Sequence, residues 1–142
     1  MKRLATSIVA AVMCLSALAQ KSEDTFKGRF TNSEYEVFLE IDLYGSTIAV
    51  PNHELFGNLP GYFAKQRNNF YWLVTSAKLK GKHKAELSLI NDYGSEDLKA
   101  TLTAKSDSVF IMRQEEGSQL KVPNRGKWQK LPKESELRKV MR

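Results

Sequence analysis

The segment Glu34 to Tyr44, EYEVFLEIDLY, alternates with period two. Tyr35, Val37, Leu39, Ile41 and Leu43 fall on one side. Glu34, Glu36, Glu40 and Asp42 fall on the other, with Phe38 and Tyr44 among them. An extended chain sends successive side chains to opposite faces, so this pattern predicts a strand with one face on a core. Thr25 to Thr31 alternates Phe26 and Phe30 with Lys27 and Arg29, and Asn32-Ser33 then offers a tight turn. The two strands should pair antiparallel, with Lys27 and Arg29 facing Glu36 and Glu40 across the ladder. After Gly45-Ser46 a short strand carries Ile48 and Val50 to Pro51. Proline has no N–H to give to a ladder, so the strand should stop there.

The same vocabulary returns 72 residues later. Without a gap, 26–60 lies over 98–132 with 11 identities in 35 positions, among them Val37-Phe38 over Val109-Phe110 and Val50-Pro51-Asn52 over Val122-Pro123-Asn124. A span of this length is one supersecondary unit, too small to bury a face alone. The expectation is two related three-stranded units. Two further strands lie between them, Asn69 to Ala77 and Lys84 to Ile90, joined by a turn at Lys80-Gly81-Lys82. Eight short strands without a convincing helix predict an all-β fold. The expected form is an antiparallel meander curled into a small up-and-down barrel, whose closure removes edge strands. The stretch 52–68, with Gly57, Pro60 and Gly61, reads as irregular, and 133–142 reads as a charged C-terminal tail.

The N-terminus carries a different message. Lys2 and Arg3 precede an apolar run from Leu4 to Leu18, and Ala17-Leu18-Ala19 has the small-x-small pattern of a signal-peptidase site. Residues 1–19 therefore read as a signal peptide, and the run is shorter than the roughly 20 residues a membrane span needs. The expected location is the periplasm or the cell exterior, with no stable membrane anchor. The domain is then 20–132 plus the tail. Cys14, the only cysteine, would leave with the signal, so the mature chain would use no disulfide. The net charge of +6 would fall by two with Lys2 and Arg3. That mild excess favours anionic partners such as acidic glycans or lipid headgroups, and export argues against nucleic acid.

Candidate sites are few. Tyr62, Phe63, Phe70, Tyr71 and Trp72 form an aromatic cluster whose flat faces could stack on sugars or grip an apolar ligand. Strand alternation separates Phe70 and Trp72 from Tyr71, so one set must be core. Tyr62 and Phe63, in the irregular stretch, are expected to be exposed as a mouth or lid. Arg113 stands where the first unit has Ile41, on the inward face, where it could anchor a carboxylate or sulfate. The other reading ends that strand at Met112 and gives 113–118 to a solvated hairpin loop. The acidic turn from Asn91 to Asp97 lacks the spacing of a calcium loop and reads as a hairpin turn, with Gly94 supplying positive φ. Lys78, Lys80, Lys82 and Lys84 mark a hairpin tip protected from edge pairing. His53 and His83 are the only histidines and sit in expected loops, so no zinc site or other metal site is expected, and no cofactor. No serine lies in a G-x-S-x-G context, and the outward acids read as a solvated face. The chain is not expected to be an enzyme.

Lys27-Gly28-Arg29-Phe30 resembles the Gly-x-Trp entry of lipocalin-like barrels, with Phe30 at the Trp position. The resemblance implies an eight-stranded cup holding a small apolar ligand. The run from Phe56-Gly57-Asn58-Leu59-Pro60-Gly61-Tyr62 to Asn91-Asp92-Tyr93-Gly94-Ser95-Glu96-Asp97-Leu98 resembles small exported proteins of Bacteroidetes-type bacteria, and implies only the periplasm or cell exterior. The functional expectation is a non-enzymatic binding module, a small barrel whose cavity or mouth holds a hydrophobic or glycan ligand. The alternative is a protein-interaction or inhibitor domain with a filled core.

Overall fold

The computed structural model describes residues 24–141. The signal-peptide reading of 1–19, with Cys14, lies outside the described residues. The chain runs β1 (Lys27–Asn32), β2 (Val37–Asp42), β3 (Ile48–Ala49), a 3-10 turn (Glu54–Phe56), β4 (Asn58–Leu59), β5 (Gly61–Lys65), β6 (Tyr71–Leu79), β7 (Lys84–Ile90), β8 (Asp97–Ala104), β9 (Val109–Gly117), β10 (Lys121–Asn124), β11 (Lys127–Lys130) and β12 (Glu134–Lys139). Eight of these strands close a barrel in the order β1-β12-β9-β8-β7-β6-β5-β2, every neighbour antiparallel. The fold is an up-and-down all-β barrel. Turns 33–36, 66–70 and 91–96 and the long connection 118–133 lie at one end, here called the upper end. The connection 43–60 and the turns 80–83 and 105–108 lie at the lower end.

The eight staves differ in part from those the sequence suggests. The third strand of each unit leaves the barrel: β3 pairs only with β4, and β10 only with β11, as two small separate sheets. Their places are taken by two segments read otherwise. Gly61–Lys65 lies within the stretch 52–68 expected to be irregular, and it pairs with both β2 and β5's other neighbour β6. Glu134–Lys139 lies in the expected tail, and it closes the wall between β1 and β9. The tail's charge misleads because one face of β12 is solvated. Its single fully buried apolar residue, Leu137, points inward. Gly61 is fixed by a close approach of strands: a Cβ there would lie 2.2 Å from the Glu40 carbonyl oxygen.

Inside, Phe26, Phe30, Phe63, Trp72 and Phe110 are almost completely buried among Leu39, Ile41, Leu87, Leu89, Leu102 and Leu137. Phe110 meets Phe30 edge-on at 4.6 Å and Phe26 at 6.0 Å. An eight-stranded barrel is just wide enough for its own side chains to fill, and here large rings do so. The upper end is plugged from above, since Leu120, Val122 and Leu131 on the β10–β11 excursion join the same core. A second cluster lies outside the wall. Phe38, Tyr62, Ala64, Tyr71 and Leu73 on β2, β5 and β6 are covered by Ile48, Val50 and Leu59 of the 43–60 connection.

The expected pairing of Arg29 with Glu40 is present, at 3.0 Å in direct register, and the guanidinium also lies 4.1 Å from the Phe38 ring centre. Asp42, expected on a solvated face, is instead only 2% exposed. Its carboxylate accepts from the backbone N–H of Tyr44 and Gly45 and from the Thr47 hydroxyl, so it builds the turn that follows β2. Burial alone would raise its pKa. These three donors, with Lys27 nearby, outweigh that and leave it below the usual carboxylate value.

Candidate functional site

The five residues expected to bind a ligand do not converge. Tyr62 and Phe63 are neither mouth nor lid, because the segment that carries them is a barrel strand buried on both faces. Phe63 pairs with Trp72 across the ladder and both enter the interior, while Tyr62 and Tyr71 lie under the 43–60 connection. Burial, first among the influences on it, raises the Tyr62 phenol's pKa, as expected of a hydroxyl withdrawn from water.

The inward reading of Arg113 is corrected, while the other reading holds for its exposure and fails at the strand end. The strand does not end at Met112, and Arg113 does not point inward. It stands on the outer face, bonded to Glu134 at 3.0 Å and near Glu115 at 3.6 Å. The cause is one residue. Asn32 pairs with Val37, but Ala104 pairs with Phe110, so the second hairpin loop is one residue longer. A slip of one residue turns every side chain to the opposite face. Phe38 therefore lies outside and its counterpart Phe110 inside, and Arg113 lies outside where Ile41 is inside. Gln114 takes the inward direction. Its side-chain amide donates to the Leu131 and Pro132 carbonyls, and its oxygen accepts from the Leu120 N–H at 2.7 Å. One side chain thus ties both feet of the β10–β11 excursion.

What that excursion presents is the most distinctive surface of the protein. Tyr93 is 77% exposed and Trp128 is 49% exposed, and between them lies the buried ring of Phe70. Phe70 stands 5.7 Å from Tyr93 and 4.9 Å from Trp128, centre to centre. Three elements hold these rings. Phe70 closes the 66–70 turn just before β6, its N–H donating to the Asn68 side chain. Tyr93 rides on the 91–96 turn, where Asn91 Oδ1 accepts from the Ser95 and Glu96 N–H groups and Gly94 takes φ 71°. Trp128 sits in β11 directly opposite Pro123, with Lys121 and Lys130 paired two residues along. Residues opposite each other share a face, so Lys121, Pro123, Trp128 and Lys130 lie on one side of the small sheet. The Lys121 ammonium stands 5.3 Å from the Trp128 ring centre and 3.2 Å from Glu96. Phe70 and the three connections thus bring the Tyr93 and Trp128 rings onto one footing. Alternation groups Phe70 with Trp72 and leaves open which set is core; the structure buries Phe70. Nothing in the sequence joined it to Tyr93 and Trp128, which are 23 and 58 residues further along the chain.

A second feature adjoins this surface. His53 Nε2 meets the Asp92 carboxylate, and His53 Nδ1 lies 2.8 Å from the Pro51 carbonyl. The pair fastens the 43–60 connection to the turn that carries Tyr93. The Pro51 carbonyl, first, and then Asp92 raise the His53 pKa above the ordinary imidazole value, against the opposing effect of burial. Since the folded value exceeds the unfolded one, the bond's full contribution is present below the unfolded pKa, and it disappears as pH rises through the folded pKa. A partly exposed pair of this kind contributes up to about 1 kcal/mol. The expected result is that His53→Gln lowers the urea midpoint near the acid side of neutrality and has little effect in mildly alkaline buffer. Asp92→Asn should shrink the same pH dependence and leave the part that the Pro51 carbonyl sustains. A midpoint difference that stays constant with pH would refute this account.

At the lower end, a cleft of about 570 Å3 is lined by Asp24, Thr25, His83, Lys105, Asp107 and Lys139, with Phe110 at its floor. Lys139 Nζ donates to the Asp24 and Thr25 carbonyls, so it ties the end of β12 to the segment that leads into β1. Among the described residues no group of three or more His, Cys, Asp or Glu side chains is placed to hold a metal ion. Comparison with family models, with curated proteins and with solved structures finds no match for this chain.

Proposed function

We propose that this chain is an exported, non-enzymatic binding domain that holds its ligand on the outside of the barrel. The ligand is a glycan lying across Tyr93 and Trp128. Export rests on the signal-like sequence of residues 1–19 and places the protein in the periplasm or outside the cell. The observation that carries the reading is the placement of the aromatic residues. The interior rings fill the barrel, while two more are left in solvent on a rigid footing at its upper end. The C–H faces of a pyranose stack on such rings because the ring face is negative and the C–H bonds are polarised positive. A footing fixed in advance lowers the entropy lost on binding.

A second reading has its own observation. Leu55 is fully exposed and Phe56 half-exposed on the 3-10 turn, an apolar projection suited to a protein partner. One experiment separates the two. Intrinsic fluorescence and calorimetric titration against a panel of soluble oligosaccharides should reveal binding. Trp128→Ala and Tyr93→Ala should each weaken it about tenfold, a loss of roughly 1.4 kcal/mol. Leu55→Ser with Phe56→Ser should leave it unchanged. Binding that ignores Trp128 and Tyr93, or no binding to any oligosaccharide in the panel, would overturn the glycan reading.

A further inference from the structure

We infer that the glycan is an anionic one, bearing carboxylate or sulfate groups, and that the β10–β11 sheet reads its charge. The inference rests on the preceding reading and adds the ligand's chemistry. From Gly117 to Lys133 the chain carries Lys121, Arg125, Lys127, Lys130 and Lys133 and not one carboxylate. Among the described residues only Lys121 of these five has a carboxylate within ion-pair distance, that of Glu96. Arg125, Lys127, Lys130 and Lys133 are all exposed. Lys65, on the neighbouring β5, reaches the same sheet and donates to the Asn124 side chain. Lys121 and Lys130 share the Trp128 face, Arg125 stands at the hairpin tip, and Lys127 lies on the opposite face. Cations gathered on so small a sheet repel one another and gain most from a partner whose charges alternate with flat, stackable surfaces. An acidic polysaccharide has that form, with a pyranose face for Trp128 and an anion for the lysines.

The geometry favours such a chain over a lipid surface. A side chain that inserts among headgroups projects from a loop tip. Here the tip is Arg125-Gly126, which is polar, and Trp128 lies back along the strand against Phe70. The same placement disfavours a protein pocket, which needs a protruding ring to fill it.

The test uses one sugar backbone in two charge states. Short oligogalacturonates and their fully methyl-esterified forms are titrated into the protein at low and at high salt. Chondroitin sulfate oligosaccharides form a third arm and separate sulfate from carboxylate. The acid form is expected to bind at least about tenfold more tightly than the ester at low salt, with the advantage shrinking at high salt as the charges are screened. Arg125→Gln with Lys130→Gln should remove that preference and leave ester binding in place. Trp128→Ala should weaken both. Preference for the sulfated sugar over the carboxylated one supports the inference and names the anion. Equal binding of acid and ester, or a preference that survives the double substitution, overturns the inference and leaves the glycan reading standing. Failure of every oligosaccharide overturns both. Binding only to phosphatidylglycerol vesicles, with a shift in Trp128 fluorescence, overturns both in favour of a membrane surface.

Discussion

Truncation after Pro132 is expected to abolish the folded state. The cut removes β12, which pairs with β9 over Glu134 to Arg138 and with β1 at Arg138 and Lys139. Its loss opens the barrel and leaves β1 and β9 as unpaired edges. It also strips Leu137 from the interior, where it is completely buried. Removing a buried leucine side chain alone costs about 2 to 5 kcal/mol. Two broken ladders and two newly wetted walls add to that, against a total stability of about 5 to 15 kcal/mol for a domain of this kind. The shortened chain should show no cooperative thermal transition and should collect in the insoluble fraction. A chain ending at Val140 keeps the β12 ladder, including the Val140 N–H bond to the Arg29 carbonyl, and should unfold like the full chain. A soluble chain ending at Pro132 with a sharp melting transition would show that β12 is dispensable.

That segment also shows what a sequence conceals. Strong alternation exposed the strands whose inner face carries several large apolar residues in a row, as in Tyr35 to Leu43 or Ala85 to Leu89. β12 offers only Leu137 among charges, and β5 is buried on both faces, so its apolar residues do not alternate. Both were missed for the same reason: period two requires one wet face and one dry face with several residues on each. The overlay of 26–60 on 98–132 keeps Phe26 and Leu98, and Phe30 and Leu102, on the inner face. It inverts the next strand, because the extra loop residue is hidden in an ungapped comparison. Arg113 was misplaced by that slip alone.

The candidate surface was less legible than the wall, and the reason is distance along the chain. A stacking platform needs rings brought together by the closure of the barrel, and Tyr93, Phe70 and Trp128 come from three separate connections at its upper end. Aromatic residues close together in the chain stand out in a sequence, and here those are Tyr62, Phe63, Tyr71 and Trp72. Four aromatic residues on two adjacent strands are the ones a small barrel uses to fill itself and to seat its outer cover. The charge signal was legible: the run of five cations without an acid stands in the sequence unaided. Trp128 stands inside that run in the sequence too, and what the structure adds is its exposure and its seat on Phe70.

Trp72 is where the filled interior and the outer surface meet, and its replacement by alanine should be the most damaging single substitution in the wall. The indole is fully buried, and its Nε1–H donates to the Lys121 carbonyl at 2.8 Å. It therefore holds the first residue of β10 from below, while Phe70, 6.4 Å from it, supports Trp128. Trp72→Ala removes the largest side chain of the core and leaves a cavity, at a cost of about 3 to 5 kcal/mol. Trp72→Phe keeps most of the packing and loses the hydrogen bond, at about 1 kcal/mol. The two should differ in kind. The alanine variant should shift the urea midpoint of the whole domain. The phenylalanine variant should unfold near the wild-type midpoint, with faster amide hydrogen exchange confined to 121–130. Trp128 is then the only tryptophan left, so its emission should move toward that of a more solvated indole as the sheet loosens, and oligosaccharide binding should weaken with it. Wild-type exchange across 121–130 in the phenylalanine variant would mean that Gln114 and the apolar plug of Leu120, Val122 and Leu131 hold the platform without help from Trp72.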